Sequence, residues 1–142
     1  KKIPFTVFVV SNFVKENVKE YCDKNELYEL SQLAGVTIGS HGASHTPLNQ
    51  LNDFQLKEEL SSSKKYIEDV TGKLVNAISF PHGAINSRIK NYAANAGYRL
   101  GGTSRFNINQ CINTQTRFNN IIMNNNTANH RVWRYISFSI FC

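Results

Sequence analysis

The chain opens on a nearly continuous apolar run, Ile3-Pro4-Phe5-Thr6-Val7-Phe8-Val9-Val10, rich in β-branched and aromatic residues. Such a run fits a strand buried on both faces, the kind found in parallel sheets. Val36-Thr37-Ile38, Leu74 to Phe80 and Tyr98 to Thr103 read as further strands, with helical spacing filling the gaps. Strict alternation of strand and helix implies right-handed βαβ units, and so a parallel sheet or a barrel segment. A parallel strand so near residue 1 is unusual, and both ends of the chain read as cutting through the fold.

Local signals set the expected helix bounds. Ser11 or Asn12 can cap a helix on which Phe13, Val14, Val18, Tyr21 and Cys22 recur at helical spacing. A second helix runs from about Glu26 to Ala34 and stops at Gly35. Asn52 and Gln55 form a capping pair for a third, carrying Phe54, Leu56, Leu60, Tyr66, Ile67 and Val70 and ending at Thr71-Gly72. Asn86 caps a fourth through Ile89, Tyr92, Ala93 and Ala96, with Gly97 as its stop. Residues 106–130 are expected to be an Asn-rich loop, and Ile136, Phe138 and Ile140 alternate with Ser137 and Ser139 as in a half-buried strand.

At 142 residues the chain fits one domain, 1–142, and its 41% hydrophobic and 18% charged content excludes a disordered or fibrous polymer. No apolar run approaches the roughly 20 residues that a membrane helix needs. Cys22, Cys111 and Cys142 show no metal-type spacing and form no closed disulfide framework. All 10 acids lie in residues 1–69, whereas residues 70–142 hold half of the 16 Lys and Arg and no acid. A basic half of this kind suits an anionic glycan or nucleic acid, which makes a non-catalytic basic binding module the alternative reading. A scattered, solvated basic surface explains it more simply, since no basic cluster is denser than Lys64-Lys65. The asymmetry also means that carboxylate chemistry must draw on the first 69 residues or on groups outside this chain.

Two segments can carry chemistry, and each follows a strand at the edge where parallel α/β folds build their sites. Gly39-Ser40-His41-Gly42-Ala43-Ser44-His45 spaces its histidines four apart, which in a helical turn puts them on one face, about 5–6 Å apart at Cβ. Two neutral imidazoles so placed can hold one zinc-like cation and leave positions for a third ligand and a water. The bare spacing by itself is better explained by surface histidines in a polar turn. In Ser79-Phe80-Pro81-His82-Gly83-Ala84-Ile85-Asn86 a strand runs into a Pro/Gly turn, and ordinary turn chemistry explains Pro81, Gly83 and Asn86 without a ligand.

Taken together, these segments resemble the polysaccharide deacetylases, the NodB-homology group also called carbohydrate esterase family four. G-S-H-G-A-S-H-T-P-L is similar to the family's H-[ST]-x-x-H motif, with Gly42 in place of Ser/Thr. F-P-H-G-A-I-N resembles its R-x-P-x-G motif, with Ser79 where the Arg would stand. I-P-F-T-V-F-V-V resembles the strand after its first motif, and A-G-Y-R-L-G-G-T-S-R the segment after its third. The likeness runs from about Ile3 to Arg105.

The resemblance implies a partial distorted (β/α) barrel and a metal-dependent hydrolase that removes acetyl groups, mainly N-acetyl, from a polysaccharide or oligosaccharide. It implies a divalent cation, by family habit zinc, with His41 and His45 as metal ligands and Pro81, His82 and Gly83 shaping a substrate groove. Such a cation polarises the acetyl carbonyl and lowers the pKa of its water, while an Asp of the first motif acts as base and a His of the last motif as acid. The first motif, T-F-D-D, has no counterpart in the chain, so the general base is absent and weak or no activity is expected. The last motif, L-x-H, has no clear match either; His130 lies in the Asn-rich stretch, and Arg134 aligns only loosely with an Arg of the family. Family habit favours a cell-envelope or secreted setting; a nucleic-acid partner is not expected.

Overall fold

The computed structural model describes residues 4–103 and the backbone of Asn109–Cys111. Its first strand, β1 (Phe5–Val9), pairs in parallel with β2 (Val36–Ser40), in a register running from Phe5 opposite Val36 to Val9 opposite Ser40. β3 (Ala77–Ser79) and β4 (Leu100–Gly102) continue the sheet in parallel, and β5 (Asn109–Cys111) closes the described part antiparallel to β4. The strand order is β1-β2-β3-β4-β5. Parallel strands in unbroken sequential order progress as a (β/α) barrel does, and a doubly wound sheet would reverse direction. The α/β alternation expected from the sequence is therefore present.

The helices are α1 (Ser11–Lys15), α2 (Lys24–Gln32), α3 (Asp53–Thr71) and α4 (Ser87–Asn95). α3 organises the packing against α2, α4 and β2. Leu56, Leu60, Ser63, Ile67 and Val70 form its buried stripe, at the alternating three- and four-residue steps of an amphipathic helix. Each fully buried Leu or Ile there contributes about 1.5–3 kcal/mol relative to exposure. They meet Val7, Val9, Ile38 and Ile78 of the sheet, Leu27 of α2 and Ile89 and Ala93 of α4. Where β2 passes β1, Gly39 leaves room for the Phe8 ring: a Cβ at Gly39 would stand 2.7 Å from its edge carbons.

The Asn52–Gln55 box is formed as expected, and Gly72 ends α3 in the left-handed region at φ 69°. Asn86 caps α4 through the Ile89 N–H at 2.9 Å. Other bounds differ. α1 stops at Lys15, its N-cap is Val10 with no side-chain bond, and Asn17 turns the chain at φ 53°. The apolar residues beyond it pack in a turn, with the Phe13 and Tyr21 rings 4.5 Å apart. α2 begins earlier than expected because Asp23 caps it, accepting the Asn25 and Glu26 N–H groups. Phe54 and Leu74 are exposed rather than core, and Phe5 leaves β1 only partly covered. β5 falls within the stretch expected as the Asn-rich loop; the rest of that stretch and the Ile136–Ile140 strand lie outside the described residues.

Candidate functional site

Three strand ends meet at one edge of the sheet. β2 passes directly from Ser40 into His41, whose N–H donates to the Val9 carbonyl at the end of β1, 2.7 Å away. β3 ends at Ser79, and its carbonyl lies 2.8 Å from His41 Nδ1. A carbonyl only accepts, so Nδ1 carries the imidazole proton and Nε2 keeps its lone pair. Burial pushes the His41 pKa down to about 4, against the pull of the Ser79 bond and helped by His45 and His82 nearby. His41 is therefore neutral at pH 7, the state in which an imidazole ligates metal.

The His41–His45 segment is not a helical turn. Gly42 sits at φ 81° and His45 at φ 63°, and these left-handed residues fold the loop back so that the two rings come within 4.9 Å, centroid to centroid. His82, at φ 56°, brings its ring 4.7 Å from that of His45 and places Nε2 3.2 Å from the His45 carbonyl. A non-glycine residue held there costs about 1–3 kcal/mol, and such strain clusters where function demands it. Desolvation and the neighbouring His82 lower the His45 pKa, while Glu59 raises it. Phe13 of α1 flanks this row, its ring 6.5 Å from that of His45.

Residues of no evident role in the sequence hold the loop in place. Gly42 N–H donates to Ser40 Oγ, Ser40 Oγ stands 2.7 Å from Ser63 Oγ, and Ser63 Oγ donates to the Gly42 carbonyl at 2.9 Å. Both serines are fully buried, so this closed ring satisfies every polar atom in it. The same Gly42 carbonyl accepts Ser11 N–H, and Ala43 accepts Asn12 N–H, which joins the loop to the start of α1. On the outer side Glu59 Oε1 accepts the Ala43 and Ser44 N–H groups at 2.8 and 2.7 Å. Buried Pro81 faces Gly42, its Cγ 3.5 Å from where a Cβ on that glycine would stand.

The pair therefore has the chemistry of two neutral nitrogen donors. No group of three or more His, Cys, Asp or Glu able to hold a metal ion occurs among the described residues. Every Asp is engaged elsewhere: Asp23 caps α2, Asp53 pairs with Arg88 at 2.7 Å and Asp69 with Lys65 at 2.9 Å. The residues present fit two positions of a cation's coordination sphere and supply no carboxylate for a third.

The histidine row lies at the C-terminal ends of the strands, the edge at which barrel-type α/β folds build their sites. Residues 1–101 match the family described as polysaccharide deacetylase, and the chain belongs to that family. It is 28% identical over 99 residues to YxkH of Bacillus subtilis, a relative that carries a polysaccharide deacetylase name, covering 70% of this chain and 34% of that protein. It is 26% identical over 102 residues to chitin deacetylase 1 of Cryptococcus neoformans, covering 66% of this chain and 22% of that one. The chain thus spans about a third or less of these relatives. Its fold superimposes on the Streptococcus pyogenes deacetylase PplD, solved in complex with acetate, with a TM-score of 0.66 at 23% identity over 69% of this chain and 43% of that one. No described helix is long and apolar enough to cross a membrane.

Proposed function

We propose that this chain carries part of the site of a metal-dependent deacetylase, which hydrolyses acetyl groups, mainly N-acetyl, on a polysaccharide such as chitin. The observation behind this reading is the convergence of His41 and His45, with His41 Nδ1 tied to the Ser79 carbonyl. A ligating histidine commonly donates its other ring N–H to a carbonyl, which fixes both tautomer and ring orientation.

His41 and His45 would hold a divalent cation, zinc by the family's habit, and such a cation supplies Lewis-acid polarisation of an acetyl carbonyl and a more acidic water. Pro81, His82 and Gly83 form the wall against which an acetylated sugar would lie. The strained His82 backbone presents its exposed ring toward the row of imidazoles. Hydrolysis adds water across the amide, giving acetate and an amine, and needs a base to take a proton from that water. No described carboxylate stands ready for that role, so this chain alone is expected to release acetate slowly or not at all. The substrate setting that fits is a cell envelope or a secreted matrix.

A chitin oligomer titrated against the isotope-labelled chain, with zinc and then with excess chelator, tests the reading. It predicts amide shifts at His82 and Gly83 that need zinc and are weaker with the fully deacetylated oligomer. Binding that ignores chelator and falls steeply with salt would instead mark the basic-module alternative.

A further inference from the structure

Glu59 lies on α3, fifteen and sixteen residues from the backbone groups it touches. One oxygen, Oε1, takes the successive N–H groups of Ala43 and Ser44, and the Ser44 hydroxyl bonds both carboxylate oxygens at 3.1 and 3.0 Å. Successive amides that follow a left-handed residue form a concave anion-binding nest. Gly42, at φ 81°, is that residue, and a Cβ on it would stand 2.9 Å from the same Oε1. The nest is thus filled by the chain's own carboxylate, between the two histidines of the row. Hydrogen bonds from N–H to an ionised acceptor are about twice as strong as neutral ones.

From this geometry we infer that Glu59 is the positioning residue of the site, holding the His41–His45 loop in the turn that aims the His45 ring at His41. The role of that aim in metal binding rests on the deacetylase reading; the clamp itself does not. Its partner on the inner side, the Ser40–Ser63 ring, fixes Gly42 alone. The Asn12 N–H holds the Ala43 carbonyl, and Glu59 takes the N–H groups of Ala43 and Ser44, the two residues before His45. Glu58, the neighbouring acid, is exposed and makes no such contact.

The test compares the unaltered chain with Glu59→Gln, Glu59→Ala and His45→Ala, each checked for folding by its thermal melt. Amide hydrogen exchange at Ala43 and Ser44, measured without metal, reads the clamp; cobalt(II) absorption in the visible reads the imidazole pair. Glu59→Ala should speed exchange at both amides and weaken cobalt(II) binding about 10–100-fold, the range typical of outer-shell partners. Glu59→Gln, which keeps one acceptor oxygen, should lose less, and sodium formate should restore Glu59→Ala in part by refilling the nest. Unchanged exchange in Glu59→Ala overturns the clamp whatever the metal does. Faster exchange with unchanged cobalt(II) affinity overturns the positioning role. No cobalt(II) binding in the unaltered chain removes the deacetylase reading, and exchange together with formate rescue then decides the clamp by itself.

Discussion

His41 Nδ1 lies 2.8 Å from the Ser79 carbonyl oxygen, so the ring that leaves β2 is fastened to the last residue of β3. One hydrogen bond thereby joins two strand ends and sets which nitrogen of His41 faces outward. A buried imidazole kept neutral in this way has a consequence for stability. The folded pKa, about 4, lies below the ordinary 6.5, so the unfolded chain binds a proton that the folded chain refuses. The contribution is whole above pH 6.5 and shrinks as pH falls toward about 4. Melting temperature in metal-free buffer should drop across that window, and His41→Gln should flatten the profile. An identical slope in the variant would count against a buried neutral His41.

Tyr98 gives the opposite sign at high pH. Its ring is 1% exposed and its hydroxyl donates to the Leu60 carbonyl at 3.0 Å. Burial raises its pKa well above the ordinary 10.0. Above pH 10 the unfolded chain loses a proton that the folded chain keeps, so stability falls as pH rises. Tyr98→Phe should lose about 0.5–1.5 kcal/mol at neutral pH with its hydrogen bond, and fall less steeply in alkali. Urea denaturation at neutral and alkaline pH measures both, and parallel curves would contradict the assignment.

Ser63→Ala opens the buried ring around Gly42. It removes the Ser63 hydroxyl from both Ser40 Oγ and the Gly42 carbonyl, while Ser40 Oγ keeps the Gly42 N–H and the Gly42 carbonyl keeps the Ser11 N–H. Each hydrogen bond lost in this way costs about 0.5–1.5 kcal/mol. Urea denaturation should show that loss, together with faster amide exchange at Gly42. A fully stable variant would mean that the ring does not hold the loop.

What could be read from the sequence was local. The Asn52–Gln55 and Asn86–Ile89 caps join residues three apart, and the positions of α3 and α4 followed. The strand–helix alternation was legible for the same reason, since each element carries its own period. The helical period of Val18, Tyr21 and Cys22 overstates the first helix, because Asn17 turns that segment aside. At the site, His41, His45 and His82 stood out by type and spacing, but the helical turn expected between the first two is a left-handed loop. Glu59, Ser40 and Ser63 were invisible, because a contact across 15 to 23 residues leaves no mark on a periodic pattern. Nothing in E-E-L distinguishes Glu59 from Glu58 until α3 is packed against β2.

The claim that the two imidazoles share a cation is tested most directly by calorimetric zinc titration of the unaltered chain, His41→Ala and His45→Ala. One zinc per chain is expected, held more loosely than a three-ligand site would hold it, with no binding in either variant. Zinc binding that survives both substitutions, or none in the unaltered chain, would contradict it.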